Sequence, residues 1–384
     1  MNRLPLALFF APLLTPTAWA LDDPRPVDVL GFKLYPTLLI GEHYDDNYRE
    51  LPDSRASGSR ITVLEPSLRL VAEDRNSAYR LSYAGSRNTY HDDDDASHTD
   101  HRVRLDGILE PGSRHRLTLT AAYDRLEETA STAIPLVNDE YSLATVSATY
   151  RFGARTARNN LEFAARHERL RFHDDSLANA AEERDADRLG ITWFHRVGGT
   201  RALLETRYEE FDYRQAGSPL DSHNLSLLAG AVWEATARTS GQIRAGYQRK
   251  EYEDNSRSGL ESPIWEIGLE WKPRTYSTFT LTTRQAYDEG DQGADAIRHT
   301  RVLFDWRHAW SERWSTTLNL GAARLRYQGL DREDDLARAG LTLAYQPRRW
   351  LELSLGYSHR DNDSTDARER FTRNLYFLNA TGSL

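Results

Sequence analysis

The chain has no cysteine and a single methionine among its 384 residues. Without cysteine there are no disulfide staples, no thiolate nucleophile and no cysteine-ligated zinc. Long apolar runs are missing too, because no stretch reaches the roughly 20 residues that a spanning helix requires. The greasiest segment lies at the N-terminus and is interrupted by Pro5, Pro12 and Pro16. A basic surplus is also absent: the formal net charge is -9, which argues against a nucleic-acid partner. With 39% hydrophobic residues and a mean hydropathy of -0.68, the composition resembles that of a water-soluble protein. Low hydropathy is equally compatible with a membrane β-barrel, in which only every second strand residue is apolar.

What the chain does contain is alternation. Leu225, Leu227, Ala229, Ala231 and Trp233 are interleaved with Asn224, Ser226, Leu228, Gly230, Val232 and Glu234. Successive side chains on a strand point to opposite faces, so this pattern describes a sheet greasy on one side and wet on the other. It recurs from Phe32 to Leu384 and delineates about 18 strands, from one centred near residue 38 to one centred near 377.

The connections alternate in kind. Glu110-Pro111-Gly112-Ser113, Val197-Gly198-Gly199-Thr200, Trp271-Lys272-Pro273-Arg274 and Gln346-Pro347-Arg348-Arg349 carry the chemistry of short turns. The intervening connections are longer, polar and mostly acidic, at 45–59, 91–98, 127–140, 173–187, 214–223, 252–262, 288–297, 328–335 and 361–369. Tyr79, Tyr83, Tyr123, Tyr150, Phe152, Trp193, Tyr208, Trp233, Trp265, Trp271, Trp306, Trp310 and Tyr345 fall in phase with the apolar face, as interfacial girdles do. The expected fold is all-β: a transmembrane antiparallel barrel with short periplasmic turns and longer acidic extracellular loops. A sandwich would show shorter strands, and a propeller a repeated blade signature.

Residues 1–20 read as a secretory signal peptide, with Arg3, an apolar core from Leu6 to Leu14 and the small-residue site Ala18-Trp19-Ala20. Cleavage is expected after Ala20. Residues 21–31 then form a short periplasmic segment and 32–384 the barrel, placing the protein in a bacterial outer membrane.

The opposite strand phase lines the lumen, and it is rich in arginine. The candidate path comprises Arg69, Arg80, Arg102, Arg104, Arg116, Arg166, Arg207, Arg244, Arg284, Arg301, Arg307 and Arg338, with Arg151, Arg188, Arg196, Lys250 and Arg360 in the same phase. Acids in that phase are Glu65, Asp106, Glu162, Glu168, Glu205, Glu209, Glu234, Glu266, Glu270, Asp305 and Glu352. A guanidinium is always charged and offers a planar fork for carboxylate or phosphate, so a surplus of them in a pore favours anions. The plainer reading is that the arginines pair with those acids and stiffen the wall.

Other chemistry is thinner. His91-Asp92-Asp93-Asp94-Asp95 and Asp331-Arg332-Glu333-Asp334-Asp335 suit solvated loops, or divalent bridges to lipopolysaccharide phosphates. Asp361-Asn362-Asp363-Ser364-Thr365-Asp366 opens like a calcium loop but lacks its Gly and its distal Glu. No metal, cofactor or catalytic residue is assigned. Ser358 and His359 are adjacent and so point to opposite faces, and His91 and His173 merely neighbour aspartates. The chain is expected not to be an enzyme.

Tyr35-Pro36-Thr37-Leu38 leading to Tyr44-Asp45-Asp46-Asn47, then Leu64-Glu65-Pro66-Ser67-Leu68-Arg69-Leu70, then Tyr79-Arg80-Leu81-Ser82-Tyr83, Tyr90 and Asp100-His101, resemble the start of an outer-membrane β-barrel family found with exopolysaccharide and capsule gene clusters. The resemblance covers residues 32 to about 130. It implies a part in export or surface organisation of a polysaccharide, and it carries no catalytic residues with it. Two rival functions stand beside it: a general or anion-preferring diffusion porin, and a structural or adhesive barrel or outer-membrane hydrolase. A porin usually folds one loop inward, and none of these loops is conspicuously long. Partners expected are outer-membrane lipids with lipopolysaccharide, a polysaccharide substrate and the barrel-assembly machinery. The expected state is a monomer.

Overall fold

The computed structural model describes residues 26–129, 138–173, 177–236, 238–290 and 293–383. The expected signal peptide lies outside the described residues, as do Asp174, Asp175 and the side chain of Glu234.

A short strand β1 (Val27–Val29) precedes the barrel. The barrel strands are β2 (Phe32–Asp45), β3 (Ser59–Asp74), β4 (Ser77–Tyr90), β5 (His98–Gly112), β6 (His115–Glu128), β7 (Asp139–Phe152), β8 (Asn159–Phe172), β9 (Arg184–Val197) and β10 (Thr200–Tyr213). They continue with β11 (Ser222–Thr236), β12 (Thr239–Tyr252), β13 (Leu260–Arg274), β14 (Ser277–Glu289), β15 (Ala296–Ala309), β16 (Trp314–Tyr327), β17 (Arg332–Arg348), β18 (Leu351–Ser364) and β19 (Phe371–Ser383). A short helix α1 (Leu177–Glu182) lies between β8 and β9. Each barrel strand pairs antiparallel with its sequence neighbours, and β19 closes on β2 from Leu375↔Asp45 to Ser383↔Thr37. The result is a closed barrel of 18 strands, and the strands expected near residues 38 and 377 are its first and last, β2 and β19.

Exposure identifies the two faces. On β11 the outward Leu227 is 62% exposed, whereas its neighbour Leu228 is 1% exposed and the inward Asn224 and Ser226 are buried with it. Leu355, Leu378, Val146 and Leu189 stand equally bare on the exterior. Leaving a large apolar side chain in water forgoes about 1.5–3 kcal/mol, so a wall of them needs hydrocarbon around it. Aromatic rings bound this belt at both ends. Near the short turns, Trp271 stacks on Phe279 at 5.1 Å and Trp314 on Tyr345 at 4.5 Å. Toward the long loops, where outward His359 and Asp361 follow outward Tyr357, Tyr357 lies 5.0 Å from Tyr376.

Strand phase is conserved around the wall because the irregularities sit at the periplasmic ends. Register shifts occur between Leu109 and Gly112, Trp233 and Thr236, Trp271 and Arg274, and Tyr345 and Arg348. Three of these enclose a proline, Pro111, Pro273 or Pro347, which has no N–H to give the ladder. Segments expected as free turns are therefore bulged strand ends.

The acidic segment 331–335 also departs from expectation. It belongs mostly to β17 after a tight turn at 328–331, and Asp334 faces inward, fully buried. Likewise 361–364 is strand and not loop, so Asp361 and Asp363 share the face opposite to Asn362 and Ser364.

Candidate functional site

Direct cross-strand pairing places all twelve arginines of the sequence-derived path on the inner rows. Arg69 lies on β3, Arg80 on β4, Arg102 and Arg104 on β5, Arg116 on β6 and Arg166 on β8. Arg207 is on β10, Arg244 on β12, Arg284 on β14, Arg301 and Arg307 on β15, and Arg338 on β17. They do not form one ring. From β5 to β13 the arginines meet acids, although Arg116 also stands directly opposite Arg151 and Arg166 opposite Arg188. From β14 to β19 Arg284 opposes Arg301 and three arginines succeed one another across neighbouring strands.

In the matched sector, Arg207 Nε donates to Glu205 at 2.5 Å, and its two terminal nitrogens donate to Glu266 at 2.6 and 3.0 Å. Arg244 reaches Glu205 at 3.0 Å, while Arg166 pairs with Glu168 and Arg188 with Glu209. Contacts between β10 and β13 show how strongly the wall curves here. On β5, Arg104 pairs with Asp106 at 2.9 Å and Arg102 with Asp100 at 3.6 Å. Arg116 meets Glu110 at 3.5 Å near the periplasmic end. Each of these arginines has a carboxylate within reach.

The second sector runs from β14 to β19. Arg284 is the direct partner of Arg301, and Arg338, Arg360 and Arg373 are direct partners in turn across β17, β18 and β19. Like charges directly opposite repel, so each row needs carboxylates or solvent beside it. Asp288 accepts from Arg284 at 3.1 Å and also lies 3.1 Å from His299. Arg373 is met by Asp45, and both Arg360 and Arg373 are met by Glu50.

Glu50 belongs to loop 46–58, and this loop folds into the mouth of the barrel. Asn47, Tyr48, Arg49, Glu50 and Leu51 are all buried. Asp46 accepts from the backbone and side chain of Asn374 at 2.6 and 2.7 Å, tying the loop to β19. On the other flank Tyr48 Oη and Arg49 Nη2 donate to Asp93 at 2.6 and 2.8 Å. Partial burial works against ionisation of Asp93, but those hydrogen bonds and the Arg49 charge outweigh it and hold its pKa below the usual carboxylate value. Below the loop, Tyr48 packs with Leu39, Ile61, Val63, Tyr90 and Ala96. A porin-like inward loop is thus present, contrary to what loop length suggested.

Sequence phase missed part of this lining. Arg373 lies in register with the inward Leu375 and Phe377, so extending the alternation of β19 by one step would have found it. Inward acids omitted from the sequence-derived set include Asp45, Asp100, Asp124, Glu128, Asp139, Asp288 and Asp334, and they narrow the positive surplus. Tyr35 faces inward, with the Arg69 guanidinium 4.5 Å above its ring. The candidate rim histidines are spoken for: His91 bonds Thr62 at 2.8 Å and His173 bonds Ser142 at 3.0 Å. A cleft of about 610 Å³ lined by Arg298, Arg326 and Arg370 opens on the outside of the rim, away from the lumen.

Closed barrel, apolar exterior and charged interior together define an outer-membrane β-barrel. The chain belongs to the family described as "Putative beta-barrel porin 2", whose profile matches residues 26–383. No curated protein matches it. Among solved structures it is similar to the FrpB iron transporter of Neisseria meningitidis (F5-1 variant), at 10% identity and a TM-score of 0.53, covering 94% of this chain and 83% of that one. It is likewise similar to OccAB3 of Acinetobacter baumannii (9% identity) and OpdL of Pseudomonas aeruginosa (11%), each with a TM-score of 0.50, covering 93% of this chain and all of theirs. At such identities the likeness is one of fold. Against two further FrpB structures the chain spans 62% of their length.

Proposed function

We propose that the protein is an anion-preferring outer-membrane channel that passes carboxylate-bearing saccharides. The observation that carries this reading is the arginine-faced sector, where Arg284 opposes Arg301 and Arg338, Arg360 and Arg373 succeed one another. A field of fixed guanidinium charge in a narrow, low-dielectric wall attracts anions and repels cations. The inward loop 46–58 favours a channel for small solutes, as in a diffusion porin. The Tyr35–Arg69 pair favours an acidic sugar, since the guanidinium held over the ring presents its planar fork to a carboxylate. Passage of a secreted acidic polysaccharide is the larger version of the same chemistry, and it is what the resemblance of the N-terminal strands implies.

The test is reconstitution in planar bilayers with measurement of ion selectivity, before and after an acidic oligosaccharide is added to one side. Anion-favouring current steps that the acidic sugar interrupts, and a neutral sugar of equal length does not, are the expected result. A cation-selective or silent barrel removes the proposal.

A further inference from the structure

Loop 46–58 carries one carboxylate into the arginine-faced sector. Glu50 is 5% exposed, and its carboxylate accepts from Arg360 Nη1 and, at 2.9 Å, from Arg373 Nη1. Those two arginines are direct cross-strand partners, and Arg360 also faces Arg338. The loop thereby sets a single anionic group at the middle of a cationic row, which is where a permeating carboxylate would be drawn.

The backbone of Glu50 is unusual. Its φ is 51°, in the left-handed region that a side chain rarely adopts. Such strain persists only where surrounding contacts over-determine it, and it collects at clamps and switches. Here the contacts are the Glu50 N–H to the Asn47 carbonyl at 3.0 Å, and the Asn47 side chain to both polar groups of Leu51 and to the Thr372 carbonyl. Asn47 thus anchors the stem to β19, and Glu50 forms the tip.

We infer that Arg360 and Arg373 are a binding site for the carboxylate of an acidic saccharide, occupied in the resting channel by Glu50, and that the saccharide displaces Glu50 and releases the tip of loop 46–58. This rests on the proposed channel function. Exchanging one carboxylate for another leaves charge and hydrogen-bond number at the two guanidinium forks unchanged, and release relieves the φ strain. What opposes exchange is the tether, which gives Glu50 an effective concentration in the millimolar range or above. A lone uronate competes poorly against that. An oligouronate in the lumen presents several carboxylates at once and competes well.

Chymotrypsin cutting after Tyr48, which is buried when the loop is docked, reads release without needing current. The full-length protein in liposomes is digested alone, with trigalacturonate and with maltotriose, and Glu50→Gln is treated in the same way. Cutting is expected to be roughly ten-fold faster with trigalacturonate and in E50Q, the size that follows from losing charge-assisted hydrogen bonds. Maltotriose should do nothing, and trigalacturonate should add nothing to E50Q. Equal rates with and without trigalacturonate in the unmodified protein overturn the inference, even if E50Q fails to fold. An anion-selective channel that shows no such response overturns the latch alone, and a responsive barrel that passes no anions overturns the channel reading alone.

Discussion

Arg373 Nε donates to Asp45 at 2.9 Å, joining the last strand of the barrel to the end of the first. Asp45 is 0% exposed, and its Oδ1 also accepts from the Asn47 N–H at 3.0 Å. The seam of the barrel and the root of the inward loop therefore share one buried carboxylate. Asp45→Asn leaves Arg373 with Glu50 as its remaining carboxylate, so the change costs less than the about 3–5 kcal/mol of a buried pair broken outright. The expected outcome is a barrel that loses its compact migration on unheated gels at a lower temperature than the unmodified protein. An unchanged transition would mean that the pair contributes nothing to closure.

The arginine rows predict selectivity. Removing one charge about 4 Å from a permeating ion changes its energy by about 1 kcal/mol in water, or roughly five-fold in relative permeability. Arg301→Gln combined with Arg338→Gln is expected to lower the anion-to-cation ratio from reversal potentials in a salt gradient. Arg166→Gln, in the acid-matched sector, should leave its own glutamate in surplus and lower the ratio as well, by local imbalance rather than loss of a row.

The exterior predicts a folding defect without a lumen defect. Leu355 on β18 is among the most exposed leucines and lies mid-strand on the lipid face. Leu355→Arg should destabilise the barrel by about 2–4 kcal/mol near the bilayer midplane. Its inward neighbour Ser354 should accept Asn at little cost. Urea unfolding in lipid vesicles separates the two.

Acid should loosen the inward loop. The pKa of Asp93 is held below its unfolded value, so the clasp on Tyr48 and Arg49 contributes fully above the ordinary carboxylate range and is lost as pH falls through the lowered value. Loop-dependent fluctuations of current are expected to grow as pH drops below about 4. Asp93→Asn should show them at neutral pH and lack the acid-induced step.

The N-terminus gives the simplest check. Sequencing the mature protein from outer membranes should begin at Leu21, after the Ala18-Trp19-Ala20 site. Retention of Met1 would remove the leader reading.

Much of the barrel was legible in the chain because a closed sheet between lipid and water has a period of two that every strand must obey. Leu225 to Trp233 announced one face, and the same count placed Arg69, Arg301 and Arg338 on the other. The Tyr44-Asp45-Asp46-Asn47 run was visible as a motif, yet its work was not. Nothing local says that Asp45 is buried against Arg373 or that Asp46 caps Asn374, because both partners lie more than 300 positions away.

By itself, then, the sequence determined the strand number, the faces and the excess of arginine in one phase, since alternation is a property of neighbouring residues. The tertiary structure alone decided which arginines meet acids and which meet one another, because that depends on cross-strand register and wall curvature. It alone also brought Glu50 into the lumen. A loop of ordinary length and composition turns inward only when the barrel wall offers it Asn374, Arg360 and Arg373 at the right height, and those contacts exist only after the last strand has closed on the first.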